Sequence, residues 1–232
     1  MNTGGVFLSG GDIMKTMIVL NALAVSFLFL SSAAGAAENR LVIADFTTGV
    51  DEKGVPHGWQ LKEKSGKADF SVVKDGDLNA VRFRSANTSF SLQKEVNVDL
   101  KKFTVLTWKW KVTKLPVGGD FRKSKTDDQA AQLFLAFSKT KAIVYIWDTT
   151  APQGTMGNAA VPFPMSIKTV VVRSGAADMG KWFTEVRNVY DDYKKLFGNE
   201  PTDVVGVRLQ VNSQHTETSA ESYFADVVFT KQ

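Results

Sequence analysis

The sequence predicts a mainly β fold, a two-sheet antiparallel sandwich of the jelly-roll type with one short helix near residues 189–197. Two observations lead to this prediction. Short runs alternate apolar and polar residues with the period of two that strands show, and Gly, Pro, Asn and Asp separate these runs. A single segment has the apolar spacing of a helix instead. Many strands with one helix favour two packed sheets.

The clearest strand covers residues 104–112, where Leu106, Trp108 and Trp110 share one face and Lys109 and Lys111 share the other. Such alternation buries the aromatic face and leaves the lysines in water. The same pattern predicts further strands at residues 41–46, 58–61, 68–73, 80–84, 89–94, 132–137, 143–147, 167–173, 182–187, 204–211 and 223–229.

The predicted helix has recognisable signals at both ends. Asn188 is a favoured N-cap residue, and Asp191 stands three positions later, where a capping-box acid is found. Gly198 follows the last apolar residue, and Pro201 prevents the helix from resuming. These signals are local, so they place the helix without any knowledge of the tertiary structure.

The N-terminal segment has the features of a secretory signal peptide. Lys15 precedes a mostly apolar run from Met17 to Leu30, and small residues follow up to Ala37. The run is shorter than the roughly 20 residues that cross a bilayer, so no membrane span is expected in the mature protein. We therefore expect a periplasmic or secreted protein, with residues 1–37 as extension and signal peptide, translation starting at Met14, and residues 38–232 as one β-sandwich domain.

Composition excludes several classes of function. The chain has 28 Lys and Arg against 24 Asp and Glu, and the basic residues are scattered, so we expect no nucleic-acid partner. It has no cysteine and only 2 histidines, which argues against a zinc or copper site. An exported protein without cysteine must fold by packing alone. The sequence does not indicate an oligomeric state.

The candidate ligand-binding residues are polar or aromatic side chains at the ends of predicted strands. Carboxylates and amides bind sugar hydroxyls, an aromatic ring stacks on a sugar, and an arginine orients neighbouring acids. A turn or capping role remains the alternative for the acids, and a core position remains the alternative for the tryptophan. The candidates are Asp127, Asp128, Trp147, Asp148, Arg187 and Asn212.

A weaker candidate is a calcium site at the two ends of the domain. Asp45 lies in the first predicted strand and Asp226 in the last, and these strands adjoin in many sandwiches. Calcium takes six to eight oxygen ligands, to which such acids contribute. Simple solvation of the two carboxylates at the sheet edge is the alternative. No other cofactor is expected.

Several short motifs, taken in order, resemble the uncharacterised bacterial family called domain of unknown function 3047. The beginning and end of the domain are also similar to galactose-binding-like carbohydrate modules, which place an Asp-Phe strand before a Gly-Trp pair. The resemblance implies a sandwich and sugar binding, with no established activity. The motifs include Leu106-Thr107-Trp108-Lys109-Trp110, Asp127-Asp128-Gln129-Ala130, Tyr145-Ile146-Trp147, Gly180-Lys181-Trp182 and Tyr223-Phe224-Ala225-Asp226.

Three functions follow from these residues, and the first is preferred. In the preferred hypothesis, the protein binds a glycan or related small ligand at the strand ends without turning it over. The first alternative is a glycan-active hydrolase or lyase, which uses two carboxylates placed roughly 5–9 Å apart. The second alternative is a structural envelope protein that binds another protein through a sheet edge. A cleft lined by two close acids favours the enzyme, whereas an exposed strand without a pocket favours the interaction protein.

Overall fold

The computed structural model describes Met1, residues 39–159 and residues 162–232. The predicted signal peptide therefore lies outside the described residues. Residues Leu41–Gln232 form one compact unit. The described residues contain no helix that is long and apolar enough to cross a membrane.

One layer of the fold is a six-stranded sheet in the order β11-β6-β13-β4-β3, with β1 also paired to β13. The first and last strands of the domain therefore adjoin, as the sequence analysis assumed. The strands of this sheet are β1 (Arg40–Ala44), β3 (Asp69–Asp75), β4 (Leu78–Ala86), β6 (Val105–Lys114), β11 (Phe183–Asn188) and β13 (Ser219–Thr230).

The other layer is a seven-stranded sheet in the order β2-β5-β12-β7-β8-β10-β9. Its strands are β2 (Gln60–Ser65), β5 (Ser89–Val98), β7 (Ala131–Ala136), β8 (Lys141–Asp148), β9 (Met156–Asn158), β10 (Ser166–Ser174) and β12 (Val204–Asn212). The predicted fold class, a mainly β sandwich with one helix, is confirmed.

The pairing of β8 with β10 is parallel, which the sequence analysis did not predict. Parallel neighbours cannot be joined by a tight hairpin, so the chain needs a longer connection between them. Residues 149–165 form this connection, and they include β9, which pairs antiparallel with the outer side of β10. The short β9 has no clear alternation and was missed.

The main core lies between the two sheets and is rich in aromatic residues. Trp108 and Trp110 on β6 are fully buried, as predicted, and Tyr145 and Trp147 on β8 meet them from the other sheet. The Trp108 and Tyr145 rings stack with centroids 5.3 Å apart. Burying one such ring contributes about 4–6 kcal/mol of transfer free energy, so this core replaces the disulfides that the chain lacks.

The helix α1 (Val189–Phe197) forms as predicted. The Asn188 side chain accepts a hydrogen bond of 3.1 Å from the backbone N–H of Asp191, which completes the N-cap. At the other end Gly198 adopts a φ of 74°, the left-handed conformation that glycine tolerates best, and its N–H donates to the Lys194 carbonyl. Local sequence therefore determines both ends of this helix.

Candidate functional site

The outer face of the seven-stranded sheet carries rows of side chains that follow from strand register. One row crosses β5, β12 and β7 through Gln93, Arg208 and Phe134, which are direct cross-strand neighbours. The next row crosses the same strands through Ser91, Gln210 and Gln132. Because side chains alternate along a strand, the residues between these rows, such as Leu209 and Leu133, point into the main core.

A groove runs along these rows and has two segments. The larger segment, with a volume of about 380 Å³, lies over Gly206, which has no side chain, and Ala136, which has only a methyl group. The smaller segment, with a volume of about 280 Å³, lies over Gln132 and Gln210. Both segments are lined by Phe134, Met165, Ile167 and Arg208, so the two meet at Arg208.

One wall of the groove is apolar. Phe121, Phe134, Ile146 and Ile167 belong to a second cluster of buried residues, which lies on the outer face of the sheet and is separate from the main core. Phe121 comes from the loop before β7 and packs near Gly157 of β9, where an added Cβ would lie 3.0 Å from the ring. Phe121 of this loop therefore packs on the outer face of β8 and β10, beside the groove.

The rim of the smaller segment is organised by Asn212, the last residue of β12. Its Oδ1 accepts a hydrogen bond of 2.9 Å from the backbone N–H of Gln129 and another from the side chain of Gln132. Its Nδ2 donates to the backbone carbonyl of Asp127 at 2.7 Å. Asn212 itself is 5% exposed, so its contribution is to fix the irregular segment that leads into β7.

Asp127 places a carboxylate in the groove. Its side chain lines the smaller segment and accepts a hydrogen bond of 2.9 Å from Gln129 Nε2. Burial raises the pKa of the Asp127 carboxyl above its ordinary value, although the Gln129 bond and the nearby His215 oppose the shift. A half-buried acid with a raised pKa gains a proton more readily than a surface acid does.

Asp128 and Asp148 are both fully buried, and their carboxylates accept hydrogen bonds from the backbone of neighbouring loops. Asp128 Oδ2 accepts hydrogen bonds from the backbone N–H and the hydroxyl of Thr216 at 2.7 and 2.8 Å. The Asp148 carboxylate accepts three backbone bonds, from Phe121, Thr150 and Ala151. Burial nevertheless raises the pKa of Asp148. These contacts correspond to the turn role that we considered as the alternative.

Only one of the two carboxylate oxygens of Asp128 takes part in these hydrogen bonds. Its Oδ1 is buried and has no hydrogen-bond partner among the described residues. The Nδ1 atom of His215 lies 3.6 Å from this oxygen. The same Nδ1 is 3.0 Å from the backbone carbonyl of Asp127, to which a protonated Nδ1 donates. His215 therefore closes the end of the groove beside both acids.

Trp147 and Arg187 lie away from the groove lining. Trp147 is fully buried in the main core, and its Nε1 donates to the Gly175 carbonyl at 3.0 Å, so its ring has no free face for a sugar. We expected Arg187 to orient Asp127 and Asp128. Its guanidinium instead forms a two-bond ion pair with Asp192 of α1.

The two acids considered for calcium each have a protein partner. Asp45 Oδ1 accepts from the Thr47 backbone N–H and hydroxyl, which lowers its pKa. Asp226 Oδ2 accepts from Lys109 Nζ at 2.8 Å. In the described part of the chain, no three His, Asp or Glu side chains come together in a group suited to a metal ion. Calcium binding at Asp45 and Asp226 stays a prediction.

Arg208 and Gln210 on the floor of the groove were not among the candidates, although Asn212 of the same strand was. These three residues alternate with the core residues of β12, so their shared face was readable from the sequence. The alternation does not show which polar faces line a concavity. Gln93 and Gln132 join them only because β5 and β7 flank β12 in the folded sheet.

A family model described as "Protein of unknown function (DUF3047)" matches residues 57–228. The chain belongs to this family. The resemblance stated from the sequence motifs is therefore confirmed, and the match covers most of the sandwich, including every residue of the groove floor. No relative among the curated proteins matches the sequence.

Several solved structures have a similar fold. A family 11 carbohydrate-binding module of a Clostridium thermocellum cellulosomal cellulase aligns over 83% of this chain and 95% of its own, with a TM-score of 0.45 and 9% identity. A xyloglucanase domain of NopAA from Sinorhizobium fredii aligns over 75% and 94%, with a TM-score of 0.46 and 9% identity. A family 29 module from Piromyces equi aligns over 83% and 90%, with a TM-score of 0.38 and 8% identity. These similarities concern the fold alone.

Proposed function

We propose that this DUF3047 protein is an exported, non-catalytic binder of a glycan, which lies along the groove on the outer face of the seven-stranded sheet. The observation that carries the proposal is the composition of the groove floor. Gln93 and Gln210 place amide groups next to the apolar wall around Phe134. The buried Gln132 accepts a hydrogen bond of 3.3 Å from Gln210 and so orients it. Amides bind hydroxyls as donors and acceptors, and an apolar surface covers the C–H face of a sugar ring.

The location of the acids favours binding over hydrolysis. The described carboxylates that line the groove are Asp127 in the smaller segment and Glu95 in the larger one. Glu95 pairs with Gly206, whereas Asp127 adjoins Asn212, six residues further along β12. At a rise of about 3.3 Å per residue this separation is about 20 Å, well beyond the roughly 5–9 Å of a glycosidase pair.

The groove also favours a small or extended ligand over a protein partner. Side chains on both sides give it a floor and walls, whereas binding through a free sheet edge uses unpaired backbone groups. Export to the periplasm or the medium is part of the proposal and rests on the signal-like residues 14–37. An exported protein meets the cell wall and extracellular polysaccharides, where a glycan binder has its ligands.

The test measures thermal unfolding of the purified protein against a panel of neutral and acidic oligosaccharides. A ligand that binds the folded state raises the midpoint in proportion to the logarithm of its concentration over Kd. The double variant Gln93→Ala/Gln210→Ala removes two amides from the floor, and we expect it to lose the shift. Asn79→Ala is the control, since it removes an amide from the six-stranded sheet outside the groove.

Two outcomes would overturn the proposal. If no oligosaccharide in the panel raises the midpoint, the groove is not a glycan site. If one does, and the double variant responds as the wild type and Asn79→Ala do, the ligand binds elsewhere. Adding calcium to the same assay tests the Asp45 and Asp226 prediction, since a bound ion raises the midpoint and Asp226→Asn then removes that rise.

A further inference from the structure

Arg208 differs from the other half-buried arginines in having no carboxylate partner. Arg82, Arg173 and Arg187 each form an ion pair with an acid, at sites where their side chains are 19–31% exposed. The more exposed Arg84 and Arg122 are also paired. The Arg208 side chain forms no ion pair and no hydrogen bond with any described residue, although it lies partly buried in the groove.

The side chain of Arg208 is held in place by packing. Its guanidinium carbon lies 3.9 Å from the centre of the Phe134 ring, its neighbour on β7. Its Nε is buried and has no hydrogen-bond partner among the described residues. Burial alone lowers the pKa of Arg208, because no nearby acid compensates for the lost hydration. Stacking on an aromatic ring orients the planar fork but leaves its edge free.

A desolvated cation without an anion is costly, and a ligand that supplies the anion recovers that cost. The surroundings of the groove also favour an anion. Lys64 and Lys139 line its two segments and form no ion pair with a described residue. Of the two acids on the groove, Asp127 is already bonded to Gln129, and Glu95 lies opposite Gly206, two residues before Arg208 on β12. Neither acid forms an ion pair with Arg208, and no neighbouring charge offsets its burial.

We propose that the groove binds an acidic glycan and that Arg208 receives the carboxylate of a uronic acid residue in a two-bond contact. The inference rests on the proposed glycan-binding function and specifies its ligand class. A guanidinium fork matches the two oxygens of a carboxylate. Gln93 in the same row and Gln210 in the next row are placed to bind hydroxyls of the same glycan.

The geometry is less suited to a nucleic acid. Phosphate backbones are bound by a series of Lys and Arg side chains along the strand. Here one arginine is flanked by amides and a phenyl ring. The site therefore suits a ligand with one negative group at the arginine and neutral groups on either side. A glycan that alternates hydroxyls with isolated carboxylates has this pattern.

The experiment compares matched oligosaccharides by isothermal titration calorimetry. Oligogalacturonate, oligomannuronate and oligoglucuronate are the probes, neutral galactose, mannose and glucose oligomers are their uncharged counterparts, and a sulfated galactan oligomer supplies a different oxyanion. Arg208→Met keeps the packing on Phe134 and removes the charge, whereas Arg208→Lys keeps the charge and loses the fork. Arg84→Gln, on the six-stranded sheet, controls for the change in net charge. The unfolding midpoint of each variant shows that it is folded.

The expected result is that at least one uronate binds more tightly than its neutral counterpart. Arg208→Met should weaken that binding by about 10- to 100-fold, the usual effect of losing a charge-assisted contact, and Arg208→Lys should restore only part of it. Arg84→Gln should change it little. The neutral oligomers should lose less affinity than the uronates in Arg208→Met.

Other results separate this inference from the proposed function. If neutral oligomers bind as tightly as the uronates and their binding depends on Gln93 and Gln210, the groove is a glycan site but the proposed preference for an acidic glycan is wrong. If the sulfated oligomer alone depends on Arg208 for binding, the proposal that Arg208 receives a carboxylate is wrong. If Arg208→Met and Arg84→Gln weaken uronate binding equally, Arg208 is not the receiving group. If no oligomer binds, the glycan function itself fails.

Discussion

The hydroxyl of Tyr145 donates a hydrogen bond of 2.7 Å to Oδ2 of Asp192. Tyr145 is fully buried on β8, and Asp192 lies on α1, so this bond joins the seven-stranded sheet to the helix. Arg187 of the six-stranded sheet binds the same carboxylate. One buried acid therefore connects both sheets and the helix at the end of the sandwich where α1 packs.

Tyr145→Phe should lower the free energy of unfolding by about 1 kcal/mol, the typical contribution of one hydrogen bond. Asp192→Ala should cost more, because it leaves the Tyr145 hydroxyl and the Arg187 guanidinium without their shared acceptor. Chemical denaturation of the two single variants and of the double variant measures both effects. If the two losses add without coupling, Tyr145 and Asp192 do not interact in solution.

Arg208→Met should stabilise the protein while it weakens ligand binding. The substitution removes a desolvated cation that has no described partner and keeps the apolar contact with Phe134. We expect a gain of about 1 kcal/mol, which corresponds to a rise of about 2–4 °C in Tm for a domain of this size. Differential scanning calorimetry without ligand measures the gain. A fall in Tm would mean that the guanidinium stabilises the fold.

Asp127→Asn should change how stability depends on pH. The folded state holds a proton on Asp127 more tightly than the unfolded state does, because burial raises the pKa of this carboxyl above the ordinary 3.8. The wild type therefore loses stability as the pH rises from 3.8 through the raised pKa. The variant lacks this loss, since its Oδ1 still accepts from Gln129 and carries no charge.

Tm measured from pH 3 to pH 8 gives the comparison. Asp127→Asn should exceed the wild type at pH 7, and the two curves should meet at acidic pH, where Asp127 is protonated in both states. A constant difference across the range would show that the substitution acts through packing. Asp148, whose pKa is also raised by burial, is kept in the variant, and its charge is one of the causes that raise the pKa of Asp127 in the wild type.

Asn212→Asp should destabilise the rim of the groove despite its nearly identical shape. It replaces the Nδ2 donor, 2.7 Å from the Asp127 carbonyl, with a carboxylate oxygen that repels it. The variant loses this buried bond and sets its new carboxylate oxygen against the Asp127 carbonyl oxygen. Both effects together should lower the free energy of unfolding by about 2 kcal/mol. Denaturation of the variant measures the cost. Gln210→Glu makes the same chemical change on a half-buried side chain of the same strand and should cost less.

The sequence alone was sufficient for the features that depend on neighbouring residues. Asn188 and Gly198 define the ends of α1, because the free backbone N–H and C=O groups at a helix end are bonded by residues next to it in the sequence. The alternation of Trp108 and Trp110 with lysines placed β6 and its buried face, because a strand has a period of two. The three residues of β9 were too few to show that period, and pairing with β10 makes them a strand.

Only the tertiary structure decided which distant residues meet. Arg187 pairs with Asp192 and not with Asp127 or Asp128, because β11 and α1 bring the two together. Arg208 and Phe134 are far apart in sequence and become neighbours when β12 pairs with β7. The sequence by itself determined the strands other than β9, the helix and the fold class, since those depend on local period and capping. The groove depends on the order of strands in the sheet, which long-range packing sets.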